Sequence, residues 1–127
     1  MIDDVARRKI LGLVGLGIRG RLAVVGVQQV RDAAKRGRLK IALVASDASQ
    51  NSLSKVESLL SARGIPVVVY FSAAELGAVA GRESVAVIGV SDAGLTKGIR
   101  AATADSGGEA DVAATTTRLS GRRDSRR

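Results

Sequence analysis

Four short β-rich runs, each set apart by a helix-length segment, leave few folds open to this chain. The runs are Leu22–Val25, Lys40–Ala45, Ile65–Phe71 and Ser84–Val90. Residues 4–18 carry Val5, Ile10, Leu11, Leu13, Val14 and Ile18 on a rough helical face, although Gly12, Gly15 and Gly17 weaken it. Val27–Arg36 places Val27, Val30, Ala33 and Ala34 at helix spacing, with Gly37 as its stop. A third helix starts from a Ser49 or Asn51 cap and runs to about Arg63, with Leu53, Val56, Leu59 and Leu60 inward. Ser72 and Glu75 have capping-box spacing, and Gly81 closes the short helix they open. Ser91 or Asp92 caps a last helix to about Ala102. Pro66 stands at the start of its strand, where a missing N–H is tolerated. Such alternation implies an α/β/α sandwich, with helices on both faces of a four-stranded sheet.

A chain of 127 residues supports one domain with a real core. The expected domain covers residues 1–103. From Ala104 the sequence turns small, polar and aperiodic, so residues 104–127 are expected to form a disordered, basic-ended tail. With one Phe, one Tyr and no Trp, the core must be aliphatic. The same scarcity argues against binding single strands by base stacking. No Cys and no His removes disulfides, the common metal ligands and the usual general base, so neither a metal site nor a cofactor is expected. The N-terminal apolar run is short and broken by glycine, so neither a signal peptide nor a membrane span is expected, and the expected compartment is the cytoplasm.

The net charge is +8, and it is concentrated. Residues 1–103 hold fifteen Lys/Arg against eight Asp/Glu. Residues 19–40 alone hold seven basic residues and one acid, Asp32. Arg31, Lys35, Arg36, Arg38 and Lys40 fall within ten positions. A field of this kind attracts polyanions, and nucleic acid is the natural one. A solvated helix face is the plainer alternative.

Gly15-Leu16-Gly17-Ile18-Arg19-Gly20 matches the G-x-G-x-x-G of dinucleotide sites letter for letter. Such a fingerprint should open a helix, but the apolar, β-branched RLAVVG follows. The partner acid should come about twenty residues on. Asp47 lies well beyond that distance, and Asp32 falls inside a helix. The remaining acids are scattered, and no catalytic constellation appears. Asp47 and Asp92, both at strand ends, are expected to be loop or cap residues.

From Arg19 to Ala102 the order of landmarks resembles the kink-turn RNA-binding ribosomal protein family, the L7Ae/L30e superfamily, and its small bacterial ribosome-associated members. Gly26 and Gly37 bracket the second helix, KIALVASDAS resembles the strand that follows, GIPVVVYFSAAELGAVAGR resembles the family's "IP…S…ELG…G" segment, and SVAVIGVSDAGLTKGI its closing strand and helix. The resemblance implies a three-layer α/β/α sandwich with a four-stranded mixed sheet, no catalysis, and structured RNA, ribosomal in origin, as the partner. In RNA-binding relatives an Asn-Glu-x-x-Lys signature opens the second helix, which enters the major groove of a kink-turn. Gln28, Gln29 and Asp32 stand at those positions here, with a charge reversal at the last. Ser46 stands where the family usually has Glu. The second recognition loop maps onto Arg82–Val85, with Arg82 toward phosphate and Val85 toward an extruded base. The implied RNA surface is Arg21, Gly26, Gln28, Gln29, Arg31, Lys35, Arg36, Arg82, Ser84 and Val85. A protein–protein module on the same fold is the alternative, and a small dinucleotide-binding protein a weaker one.

Overall fold

A computed structural model describes residues 3–105. They form five helices and four strands: α1 (Asp4–Arg19), β1 (Ala23–Val25), α2 (Val27–Lys35), β2 (Ile41–Val44), α3 (Gln50–Ala62), β3 (Val67–Val68), α4 (Ala73–Ala80), β4 (Val87–Val90) and α5 (Ala93–Asp105). The sheet order is β1-β4-β2-β3. β4 runs antiparallel to both β1 and β2, whereas β2 and β3 are parallel, so the sheet is mixed. Residues 106–127, most of the expected tail, lie outside the described residues; α5 itself continues to Asp105.

β2 and β4 are the central strands, and all eight of their residues are buried. Alternate side chains feed two cores. Ile41, Leu43, Ile88 and Val90 meet Ile10 and Val14 of α1, Leu76 of α4 and Ile99 of α5. Ala42, Val44 and Val87 meet Val30 and Ala34 of α2 and Val56 and Leu60 of α3. This is the expected three-layer sandwich.

The helix ends follow their local chemistry. Asp3 accepts from the Ala6 N–H to start α1. Ser72 and Glu75 complete the reciprocal capping box of α4. Gly37, Gly64 and Gly81 take positive φ just past the ends of α2, α3 and α4. Asp92 caps α5 through the Leu95 N–H at 2.8 Å, and Asp47 accepts from Ala73 at the head of α4, so both acids are structural. Arg7 of α1 binds both Glu75 oxygens at 2.5 Å, and its guanidinium lies 5.0 Å from the Phe71 ring centre. The Ser72 backbone N–H first, then Arg7, hold the Glu75 carboxyl below its ordinary pKa.

All four strands are shorter than the sequence pattern implies, β3 and β4 most of all. β3 keeps only Val67 and Val68 because it is the sheet's edge and pairs on one side. Pro66 contributes its carbonyl to the Ala42 N–H instead of a donor. β4 begins at Val87 rather than Ser84. The preceding residues are bound to α4: Arg82 N–H donates to Gly77 O and Val85 N–H to Ala73 O.

The glycine fingerprint lies within α1 and its C-cap, not in a strand-to-helix turn. A Cβ on Gly17 would sit 3.1 Å from Leu95 and 3.3 Å from Ala23, so this glycine lets α1 approach α5 and β1. The helix presents carbonyls at that end, the wrong polarity for a pyrophosphate. That geometry removes the basis for the dinucleotide alternative.

Candidate nucleic-acid interface

The start of α2 is built from a glycine at which the chain turns sharply. Gly26 has φ +99°, which an L side chain rarely adopts. Its N–H is fixed on Val87 O at 2.9 Å, which ties the helix start to the start of β4. No side chain caps α2, and no acid occupies its first turn. The first-turn N–H groups have no acceptor inside a helix, and the helix dipole makes that end positive. Gln28 and Gln29 are exposed there.

The Arg82–Ser84 loop arrives at the same place. A Cβ on Gly26 would lie 4.0 Å from an Arg82 Nη. The loop is held by its contact with α4 at Gly77. A Cβ on Gly77 would meet Ser84 Cα and N at 2.7 Å and Arg82 O at 2.8 Å. Gly77 therefore belongs to the site's support, although sequence reasoning did not select it. Its signal was a glycine inside a short helix, where only close packing justifies the loss of helix propensity.

Arg31, in the next turn of α2, is half-buried, and its Nε is buried without a partner. An orphaned guanidinium nitrogen is costly unless something accepts from it. Asp32 accepts from Gln28 Nε2 at 3.1 Å, so the charge-reversed position occupies the amide beside it. Arg82 and Ser84 are exposed. Val85 is different: it is 5% exposed and packs in the core. Its anchoring to Ala73 turns it inward, so it presents little surface to an extruded base.

The ten expected residues thus separate. Gly26, Gln28, Gln29, Arg82 and Ser84 gather at the end of the sheet where β4 begins, with Arg31 one turn away. Lys35 and Arg36 close α2, whose nine residues place them roughly 12 Å along the axis. Arg21, at φ +62°, precedes Leu22, whose carbonyl binds Ser91 beyond the other end of β4. These three belong to the opposite end of the sheet.

The profile of the ribosomal protein L7Ae/L30e/S12e/Gadd45 family matches residues 13–99. The chain belongs to this family. It is 32% identical over 91 residues to the RNA-binding protein YlxQ of Enterococcus faecium, covering 72% of this chain and 87% of that protein. The Bacillus subtilis (strain 168) YlxQ is 34% identical over 83 residues, covering 65% and 83% of the two chains. Among solved structures, a Bacillus halodurans C protein of unknown function superposes with a TM-score of 0.68 at 33% identity, covering 74% of this chain and 95% of its own. A Giardia lamblia 15.5kD RNA binding protein superposes with a TM-score of 0.66 at 17% identity, covering 84% and 92% of the two chains, a likeness of fold. No helix of the described residues is long and apolar enough to cross a membrane.

Proposed function

We propose that this chain is a cytoplasmic, non-enzymatic protein that binds structured RNA, ribosomal in origin, in a kink-turn-like mode. The reading rests on one observation above all: the uncapped start of α2 lies beside the Arg82 guanidinium, with both backbones fixed. A fixed positive helix end next to a fork of N–H donors suits a phosphate, and the exposed Gln28 and Gln29 amides suit base edges or 2′-hydroxyls. The relatives named for RNA binding support it. Affinity comes from phosphates and selectivity from the amides.

The test is a titration of a kink-turn RNA and an unkinked duplex over a range of salt. The kink-turn binds more tightly, and log K falls linearly with log[salt]. Asp32→Lys releases Gln28 and reverses the charge, so it tightens the kink-turn selectively. An equal gain on both RNAs would contradict the kink-turn mode. A flat salt dependence on both would contradict RNA binding.

A further inference from the structure

At the far end of the sheet, Lys40 faces one stripe of α5. Ala93, Thr96, Lys97 and Arg100 are spaced i, i+3, i+4 and i+7, and with Lys40 they line an open groove of about 420 Å³. Thr96 is 8% exposed, and its Oγ1 is buried without a hydrogen-bond partner. The same helix shows the usual remedy: Thr103 Oγ1 donates to Ile99 O, four residues back, at 3.0 Å. Thr96 does not take that bond with Asp92 O, which receives the Thr96 backbone N–H at 3.0 Å. An unsatisfied hydroxyl thus lies under a groove rimmed by three cations.

We propose that this groove is a second phosphate site, and that it holds the backbone of the RNA bound at the α2 end. The inference rests on the RNA reading above. Helical threonine has two accessible χ1 rotamers, so the Thr96 hydroxyl turns to donate to an oxygen seated between Lys97 and Arg100. The nearby acid, Asp92, is engaged with the Leu95 N–H. A polyanion fits better than a small phosphorylated molecule, because the positive charge continues beyond the groove. Arg36 and Arg38 lie on the segment leading to Lys40, and Arg21 precedes the strand whose start meets Val90. One phosphate cannot serve cations spread this widely; a nucleic-acid strand can. The sites lie at opposite ends of β4 and on opposite faces of the sheet, α2 over one core and α5 over the other, so the RNA passes round the sheet's end to reach both. Gly26 N–H meets Val87 O and Lys40 N–H meets Val90 O, which is roughly 10 Å of strand, within the reach of one folded RNA.

The experiment records amide spectra of the full chain during titration with inorganic phosphate and, separately, with an internal-loop RNA hairpin. Wild type, Thr96→Val and Lys97→Gln/Arg100→Gln are compared. Phosphate produces saturable shifts at Thr96 and Lys97 in wild type, and both variants lose them. Thr96→Val keeps or raises the melting temperature, because it removes an unsatisfied buried hydroxyl. RNA shifts amides at both ends, and Lys97→Gln/Arg100→Gln lowers the salt slope by about two. Three results overturn the proposal: no phosphate shift at Thr96, an unchanged slope in the double variant, or phosphate bound in the groove that RNA does not displace. RNA shifts at Lys97 but none at Gln28 or Arg82 would overturn the α2 site and the claim that one RNA spans both ends, while the phosphate shifts at Thr96 would still report the groove.

Discussion

The two ends of the sheet hold positive charge in opposite ways. Where β4 begins, there is little charge but the backbone is fixed: Gly26 at positive φ, Arg82 and Val85 bound to α4, Gly77 with no room for a methyl. Where β4 ends, Lys40, Lys97 and Arg100 are abundant cations on exposed, flexible stems. A fixed arrangement selects among partners, because a wrong shape leaves donors unpaired. A cluster of flexible cations adds affinity for any polyanion. Net charge therefore predicts the partner's class, and backbone rigidity predicts where discrimination occurs.

The sharpest way to break this contrast is Gly77→Ala. The methyl would overlap backbone atoms of Ser84 and Arg82, which cannot swing aside as a side-chain tip would. The expected loss is about 1–3 kcal/mol of stability, with a shifted loop. Discrimination between kink-turn and duplex RNA should disappear even where the variant remains folded. Chemical denaturation and paired RNA titrations check both effects. Unchanged discrimination would mean that the loop needs no rigid support.

A smaller effect is expected at Glu75, which joins α4 to α1 through Arg7. Its pKa is lowered in the folded state, so its stabilisation is present above the ordinary value of 4.5 and is lost as pH falls through the lower folded value. Glu75→Gln should lower stability modestly at pH 7, by about 0.5–1 kcal/mol at most for a pair this exposed, read as a lower melting temperature. The gap between the two proteins should close as the pH is taken well below 4.5. A gap independent of pH would assign the effect to the capping geometry alone.

Gly15→Ala should do least. The new methyl would meet the mobile end of Arg19 at 3.3 Å and Val79 at 3.8 Å, and the glycine lies inside α1. Stability should be unchanged or raised by about 0.5–1 kcal/mol, as measured by thermal melting. NAD should shift neither protein. A marked loss of stability, set beside Gly77→Ala, would show that buried glycines here are equally intolerant.

Much of this was legible in the sequence because local chemistry decides it. The Ser72–Glu75 capping box, the Gly37 and Gly81 stops and the Asp47 and Asp92 caps depend on neighbours within a few residues, or on a strand end meeting a helix start. The family resemblance gave the mixed sheet. Long-range packing decides the rest. Ser84 and Val85 have strand-like composition but are held by α4, and Val85 turns inward for that reason. The ten candidate residues look like one basic surface in the sequence, because the direction of α2 across the sheet is not written in its own residues. Arg21, Lys35 and Arg36 separate from the others only once Gly26 is fixed to Val87 and Lys40 to Val90. The Thr96 groove was missed for the same reason, although its i, i+3, i+4, i+7 stripe was visible.

The most direct measurement is an amide-shift map of the full chain with a kink-turn RNA, for wild type and Arg82→Ala. The largest shifts should fall on Val27, Gln28 and Gln29 and on Arg82–Ser84. Arg82→Ala should weaken binding, lower the salt slope by about one and leave the melting temperature unchanged. Shifts confined to other surfaces, with Arg82→Ala binding as wild type does, would contradict the account.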